Sequence, residues 1–104
     1  MRNNSVQFTV SLRTGFFQAE PYILTVSLTG IQFQPVQREQ NADFFICNDD
    51  LRQVYLSKGE SAELEIATDA KTYICILHKT IDANSVAQSM AVLLGKKFNY
   101  TLFS

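Results

Sequence analysis

The feature of this sequence that most constrains its fold is an alternation of apolar and polar residues through the first three quarters of the chain. Apolar residues recur at every second position, which is the period of a strand with one buried face. Glycine, proline and short polar stretches interrupt the alternation at intervals that suit turns. The pattern predicts seven strands with no helix between them, at residues 5–12, 22–28, 31–33, 44–47, 51–56, 63–66 and 73–77.

The last quarter of the chain has a helical period instead. Residues at positions i, i+4, i+7 and i+8 form one apolar stripe: Val86, Met90, Leu93 and Leu94. Asp82 is the expected N-cap, because its carboxylate can accept hydrogen bonds from the free amides of the first turn. Gly95 can supply a left-handed C-terminal cap, although residues 96–98 could equally continue the helix. These signals predict one amphipathic helix within residues 82–98.

This order of elements predicts a mostly β fold with a single C-terminal helix. Seven consecutive strands would form an antiparallel bent sandwich or a partly open barrel, and the helix would cover apolar surface at its open end. The length of 104 residues and a hydrophobic fraction of 46% suit one domain with one core. We therefore expect a single domain over residues 1–104, and the apolar ending leaves open that it is a fragment of a longer protein.

The same order resembles the pleckstrin-homology superfold over nearly the whole chain. Residues 22–33 look like its second and third strands, and residues 51–54 look like the start of its fifth strand, with apolar residues three apart. Residues 82–98 look like its closing helix, although they lack the tryptophan commonly found there. The related GRAM and phosphotyrosine-binding domains share this architecture and serve different partners, so the resemblance implies a fold and not a single function.

Charge and hydropathy exclude several classes of protein. Nine basic and ten acidic residues give a net charge of −1, and no basic stripe of the kind that binds nucleic acid is present. No apolar stretch approaches the roughly 18–20 residues that a transmembrane helix needs. The polar N-terminus, residues 1–5, does not have the pattern of a signal peptide. We therefore expect a cytoplasmic protein without nucleic-acid partners.

The two cysteines, Cys47 and Cys75, both lie inside apolar runs in separate predicted strands. Buried thiols of this kind usually act as small apolar side chains, and disulfides are rare in the reducing cytoplasm. We therefore predict that both cysteines are reduced and packed among apolar residues.

The titratable residues do not form a recognisable catalytic or metal-binding motif. The single histidine, His78, follows Cys75 by three positions, and an odd separation on one strand sends two side chains to opposite faces. Asp49 and Asp50 are typical of a turn, and Glu63 and Glu65 occupy the polar face of a strand. We therefore predict a protein that is not an enzyme and that has no cofactor and no metal.

The first functional hypothesis is a docking or scaffolding module that binds a protein partner or a second copy of itself. In architectures of this kind an extended peptide often pairs with an exposed strand edge beside a helix. Here that edge would belong to the fifth predicted strand, next to the outer face of the helix. The residues predicted to bind are Arg52, Val54, Tyr55 and Leu56. Nothing in the sequence identifies the partner.

The alternative hypothesis, which the resemblance implies, is a peripheral membrane domain that binds phosphoinositide headgroups at the loop end of the barrel. The predicted lipid-binding residues lie in the loops after strands one, three and six: Arg13, Phe16, Phe17, Arg38 and Lys71. The same loops carry four acidic residues, Glu20, Glu39, Asp43 and Asp69. A basic residue near an anionic surface contributes only about 1 kcal/mol, and neighbouring acids oppose it. The charge balance therefore favours protein docking.

Overall fold

The computed structural model describes residues 5–37 and 42–102. Its strands and helix follow the predicted order, and two short 3-10 turns, Asn48–Asp50 and Gly95–Lys97, join neighbouring elements. The strands and helix are β1 Ser5–Arg13, β2 Ala19–Ser27, β3 Gly30–Pro35, β4 Phe44–Cys47, β5 Leu51–Lys58, β6 Ala62–Thr68, β7 Thr72–Leu77, α1 Ala83–Leu94 and β8 Phe98–Leu102. The prediction of a mostly β fold with one C-terminal helix is confirmed.

The strand count differs from the prediction by one. All described strands belong to one eight-stranded sheet in the order β4-β3-β2-β1-β7-β6-β5-β8. Seven of them pair antiparallel with their neighbours, as expected, but β8 pairs in parallel with β5. The helix ends at Leu94, and Gly95 follows with a φ of 59°, a left-handed conformation that stops a helix readily. The residues after Gly95 therefore return to the sheet instead of extending the helix.

One continuous core fills the space that the sheet and α1 enclose. The inward positions of the alternating strands supply most of it, and those of β1 are Phe8, Val10 and Leu12. The predicted helix stripe faces this core, because Val86, Met90 and Leu94 are buried and Leu93 is half-buried. Asp82 caps α1 as predicted, with its carboxylate accepting a hydrogen bond from the backbone N–H of Asn84 at 3.0 Å. The amphipathic pattern therefore positions α1 on the sheet.

The two cysteines are both free, but they have different surroundings. Cys75 is buried in β7, as predicted, whereas Cys47 is exposed, so the prediction of apolar packing is wrong for Cys47. Its strand, β4, lies at the end of the sheet and turns Phe44 and Ile46 toward the core, while Phe45 and Cys47 are exposed. A four-residue terminal strand buries one face only, although its sequence is apolar throughout.

We expect the two thiols to differ widely in reactivity. Burial raises the pKa of Cys75 to about 12, so near pH 8 only about 10⁻⁴ of it is thiolate, the form that reacts. A colorimetric thiol reagent should therefore modify one thiol rapidly and the second only after denaturant is added. The variant Cys47→Ser should lose the rapid phase. Two rapid phases in the native protein would show that Cys75 is accessible.

Candidate functional site

The end of the sheet at β5 and β8, together with the face of α1 beside it, is the candidate site, and we call it the terminal edge. The parallel pairing of β8 with β5 runs from Val54 opposite Phe98 to Lys58 opposite Leu102. The sequence prediction left the outer edge of β5 open, and this was wrong, because β8 covers it. Within the described residues, β8 is the last strand and pairs with β5 alone.

Two hydrogen bonds hold the turn between α1 and β8, Gly95–Lys97, in place. The Lys97 ammonium donates a hydrogen bond to the backbone oxygen of Asn48 at 2.6 Å, which ties the turn to the residues that precede β5. The backbone N–H of Gly95 donates to the oxygen of Ala91 and closes the last turn of the helix. These bonds place Phe98 beside Val54 and set the register of β8.

β8 contributes little to the core. None of its five residues is buried, and the side chain of Leu102 is 65% exposed. Phe98 and Tyr100 are half-buried, and the Tyr100 hydroxyl donates a hydrogen bond to Oδ1 of Asn84 at 2.6 Å. This is a side-chain bond between β8 and the first turn of α1. The strand is thus held by its backbone pairing, two half-buried aromatic rings and one hydrogen bond to the helix.

A shallow groove of about 550 Å³ lies between β8 and α1. Its walls combine small helix side chains with aromatic rings of the strand: Asn84, Ala87, Gln88, Ala91, Phe98 and Tyr100. None of these residues is charged, and α1 itself carries no charged side chain. An apolar side chain can lie against alanine and phenylalanine here without desolvating an ion. The groove therefore suits apolar side chains of an extended segment running along the strand.

The four predicted docking residues do not form one surface. Val54 and Leu56 point inward and are fully buried, whereas Arg52 and Tyr55 point outward and are exposed. Arg52 also forms an ion pair with Asp69, in the turn after β6. The groove residues were not predicted. The signal that could have indicated them is the alternation of Phe98, Tyr100 and Leu102 with polar residues directly after the helix.

Four of the predicted lipid-binding residues, Arg13, Phe16, Phe17 and Lys71, lie in or beside the loops at one end of the sheet, and Arg38 lies outside the described residues. Arg13, Phe16 and Phe17 line one small cavity at the turn between β1 and β2. The two phenylalanines are 90% and 93% exposed and contact each other edge to face, with centroids 4.8 Å apart. Lys71 does not line that cavity, since its ammonium lies 4.7 Å from the centroid of the Tyr73 ring.

Four aromatic rings form a cluster at the loop end of the sheet. Phe33 and Phe44 are stacked with centroids 4.4 Å apart, and Tyr73 lies 5.6 Å from each of them. Tyr22 joins the cluster edge to face, and its pKa is raised by burial and by the charge of Glu20. Aromatic rings therefore meet at this end of the sheet, whereas a headgroup site would need converging cations there.

The remaining candidates for chemistry are isolated. His78 is exposed, and its Nδ1 lies 2.9 Å from the hydroxyl of Thr80. Among residues 5–37 and 42–102, no cluster of three histidine, cysteine or acidic residues could hold a metal ion. In the same part of the chain, no helix is long and apolar enough to cross a membrane.

Comparisons with known proteins identify the fold. No protein-family model matches the chain, and no curated protein matches it significantly in sequence. Among solved structures, the Spt16D–Pob3N heterodimer superposes with a TM-score of 0.69 at 14% identity over 96% of this chain, which spans 56% of that one. The N-terminal PH domain of human ARAP2 superposes with a TM-score of 0.68 at 12% identity, over 88% of this chain and 79% of that one. The C-terminal domain of an unknown protein from Leishmania infantum gives 0.64 at 18% identity, over 86% and 82%. The chain therefore has a pleckstrin-homology-like fold.

Proposed function

We propose that this domain is a non-catalytic docking module that binds an extended segment of a protein partner at the terminal edge. The observation that carries the proposal is β8 itself. It is an added strand that lies in parallel on β5, next to an uncharged groove, and none of its residues is buried. Domains of this fold are generally not catalytic. The exposed free thiol of Cys47 supports a cytoplasmic location, where such thiols stay reduced.

Strand addition would supply affinity and the groove would supply specificity. An incoming segment pairs its backbone with the strand edge, and its alternate side chains point toward the groove. Edge strands that must stay unpaired usually carry charges, and β8 carries none. Arg52 and Tyr55, which are exposed on the outer face of β5, would contact the rim of the bound segment. Binding at this uncharged surface should depend weakly on salt.

The partner can be another protein or a second copy of this chain. The related structure that superposes over 96% of the chain is described as a heterodimer, which shows that a domain of this fold can belong to a protein assembly. A second copy would dock by the same edge, so variants that fill the groove should also dissociate a homodimer.

A library of random peptides displayed on phage tests the proposal. Ala91 is exposed and lines the groove, so Ala91→Arg should fill it without unfolding the domain and should weaken selected peptides about tenfold or more. Val92→Arg is the matched control, because Val92 is 81% exposed and does not line this groove. Failure to select any binder, or equal loss with both variants, would contradict docking at the terminal edge.

Membrane contact is the second candidate, and the observation that favours it is the protrusion of Phe16 and Phe17 at the loop end. Both rings are free to enter a lipid interface, where aromatic side chains are favourable. The charges nearby give little support, because Lys71 is held over Tyr73 and Glu20 lies close to Tyr22. Among the described residues of the loop end, Arg13 has no second cation beside it, and phosphate recognition requires several concerted cations.

We therefore expect negligible affinity for phosphoinositides. Sedimentation with liposomes at near-physiological salt should recover the same small fraction of protein with and without phosphoinositide, because the described residues of the loop end bring no cations together. Saturable binding that depends on the headgroup and is lost with Arg13→Glu would contradict this expectation and favour membrane binding over protein docking. Binding lost only with Phe16→Ser and Phe17→Ser would instead show insertion without headgroup recognition.

A further inference from the structure

We infer that β8 is a displaceable strand that occupies the docking edge of β5, so that a partner segment binds by taking its place. The inference rests on the proposed docking function and adds its regulation. In the closed state, residues 98–102 cover the edge from Val54 to Lys58. In the open state they leave it, and the same backbone groups of β5 accept a segment from another chain.

Opening should cost less at β8 than at the other described strands because of where the buried side chains lie. Every other described strand places at least one residue in the core, and even the four-residue β4 buries Ile46. β8 buries none, and the core residues below it, Val54 and Leu56, belong to β5. Detachment of β8 therefore removes no fully buried side chain from the core. Segments with few buried apolar contacts are those that open locally while the rest of a domain stays folded.

Side-chain contacts hold β8 more firmly near Phe98 and Tyr100 than near Leu102. Lys97 anchors the preceding turn through its hydrogen bond to Asn48, so the chain can pivot at Phe98 without disturbing α1. Beyond that point, the side-chain hydrogen bond from Tyr100 to Asn84 holds the strand to the helix. Leu102, near the far end, is mostly exposed. Loss of the Tyr100 bond should therefore favour the open state.

The sequence of β8 indicates what kind of partner segment could take its place on β5. β8 is uncharged and runs parallel to β5. Its half-buried rings, Phe98 and Tyr100, lie two positions apart and line the groove. The partner segment should accordingly be extended, uncharged over about five residues, and aromatic or apolar at alternate positions. A synthetic peptide with the sequence of residues 98–102 has these properties and serves as the probe.

A reversible lock tests displacement in the 104-residue chain. Tyr55 and Asn99 are neighbours in the β5–β8 register and both are exposed, so Tyr55→Cys with Asn99→Cys can form a disulfide that fastens β8 to β5. The background variant Cys47→Ser removes the other exposed thiol. We expect the oxidised protein to bind the labelled peptide at least about tenfold more weakly than the reduced protein. Equal binding by the locked and unlocked forms would overturn the inference.

A second measurement does not depend on the lock. Tyr100→Phe removes the bond to Asn84 and should raise amide exchange in residues 98–102 by roughly three- to tenfold. The apparent Kd of the peptide should fall by the same factor, because binding requires the open state. Tyr73→Phe makes the same chemical change in β7, away from the terminal edge, and should alter neither quantity. Exchange in β8 as slow as in β6, with no response to Tyr100→Phe, would contradict a displaceable strand.

Different results would contradict docking at the terminal edge and displacement of β8. Suppose that peptides selected from the library bind, that Ala91→Arg weakens them, and that the locked protein still binds them. Docking at the terminal edge then stands and displacement fails, because the partner adds outside β8. If neither the library nor the β8 peptide yields binding that Ala91→Arg weakens, the docking function fails as well.

Discussion

Replacing Gly30 with alanine is expected to lower the free energy of unfolding by more than about 4 kcal/mol, in the range of the most damaging single substitutions. Gly30 opens β3 and lies between β2 and β4, opposite Ser27 on one side and Cys47 on the other. A Cβ atom there would lie 2.1 Å from the backbone oxygen of Ile46 and 2.7 Å from the ring of Phe45. The φ of 150° adds backbone strain for any residue with a side chain.

The ring of Phe45 could rotate away, but the carbonyl of Ile46 could not move without separating β4 from β3. That separation would expose the buried Ile46 and loosen Phe44, which stacks on Phe33. Urea denaturation compares the variant with Gly95→Ala, in which the new Cβ meets no atom within 4 Å. Gly95→Ala should cost about 1–3 kcal/mol, the strain of an alanine at φ 59° and ψ −126° without any steric clash. Equal losses in the two variants would show that backbone strain, and not the approach of β4, makes Gly30 necessary.

The strands and helix that could be predicted from the sequence are those whose burial follows from local pattern. Alternation placed β1, β2 and β6 within a few residues of their observed bounds, because each buries every second side chain against one core. The helix stripe was predicted for the same reason, and Asp82 and Gly95 mark its two ends. In these segments the local preference and the global packing agree.

β8 could not be found by the same reasoning. Its five residues follow directly on a helix, and its partner, β5, lies more than forty positions earlier in the chain. Parallel pairing over that distance depends on how α1 crosses the sheet, which no local period records. The helical interpretation of residues 96–98 was therefore as consistent with the sequence as the strand that forms.

The sequence analysis placed the docking site at an open edge of β5 beside the helix, whereas β8 covers that edge in the structure. Tyr55 alternates with the buried Val54 and Leu56, whereas Arg52 has their parity and is exposed because a bulge lies between Leu51 and Gln53. The groove depends on Ala87 and Ala91, whose small side chains leave space between helix and strand. Alanine has no distinctive signal in a helical sequence, so the groove becomes visible only when β8 is in place.

The other large effect concerns Met90, which is 0% exposed at the centre of the helix stripe. Met90→Asp is expected to lower the free energy of unfolding by about 3–5 kcal/mol near pH 7, because it removes an apolar side chain from the core and leaves a carboxylate without a partner. Val92→Asp is the matched control, since Val92 is 81% exposed on the same helix and its replacement should change stability by about 0.5 kcal/mol or less.

The dependence on pH separates loss of packing from burial of charge. Burial would raise the pKa of the new carboxyl above its unfolded value of about 3.9, so the folded state binds the proton more tightly than the unfolded chain. By linkage, the deficit of Met90→Asp should be smallest below about pH 4 and should grow as the pH rises through the folded pKa. Met90→Ala, which creates a cavity without a charge, should show a deficit of about 2–4 kcal/mol with no such dependence. If Met90→Asp melted within a degree or two of the parent, the stripe would have to face solvent, and α1 would not close the core.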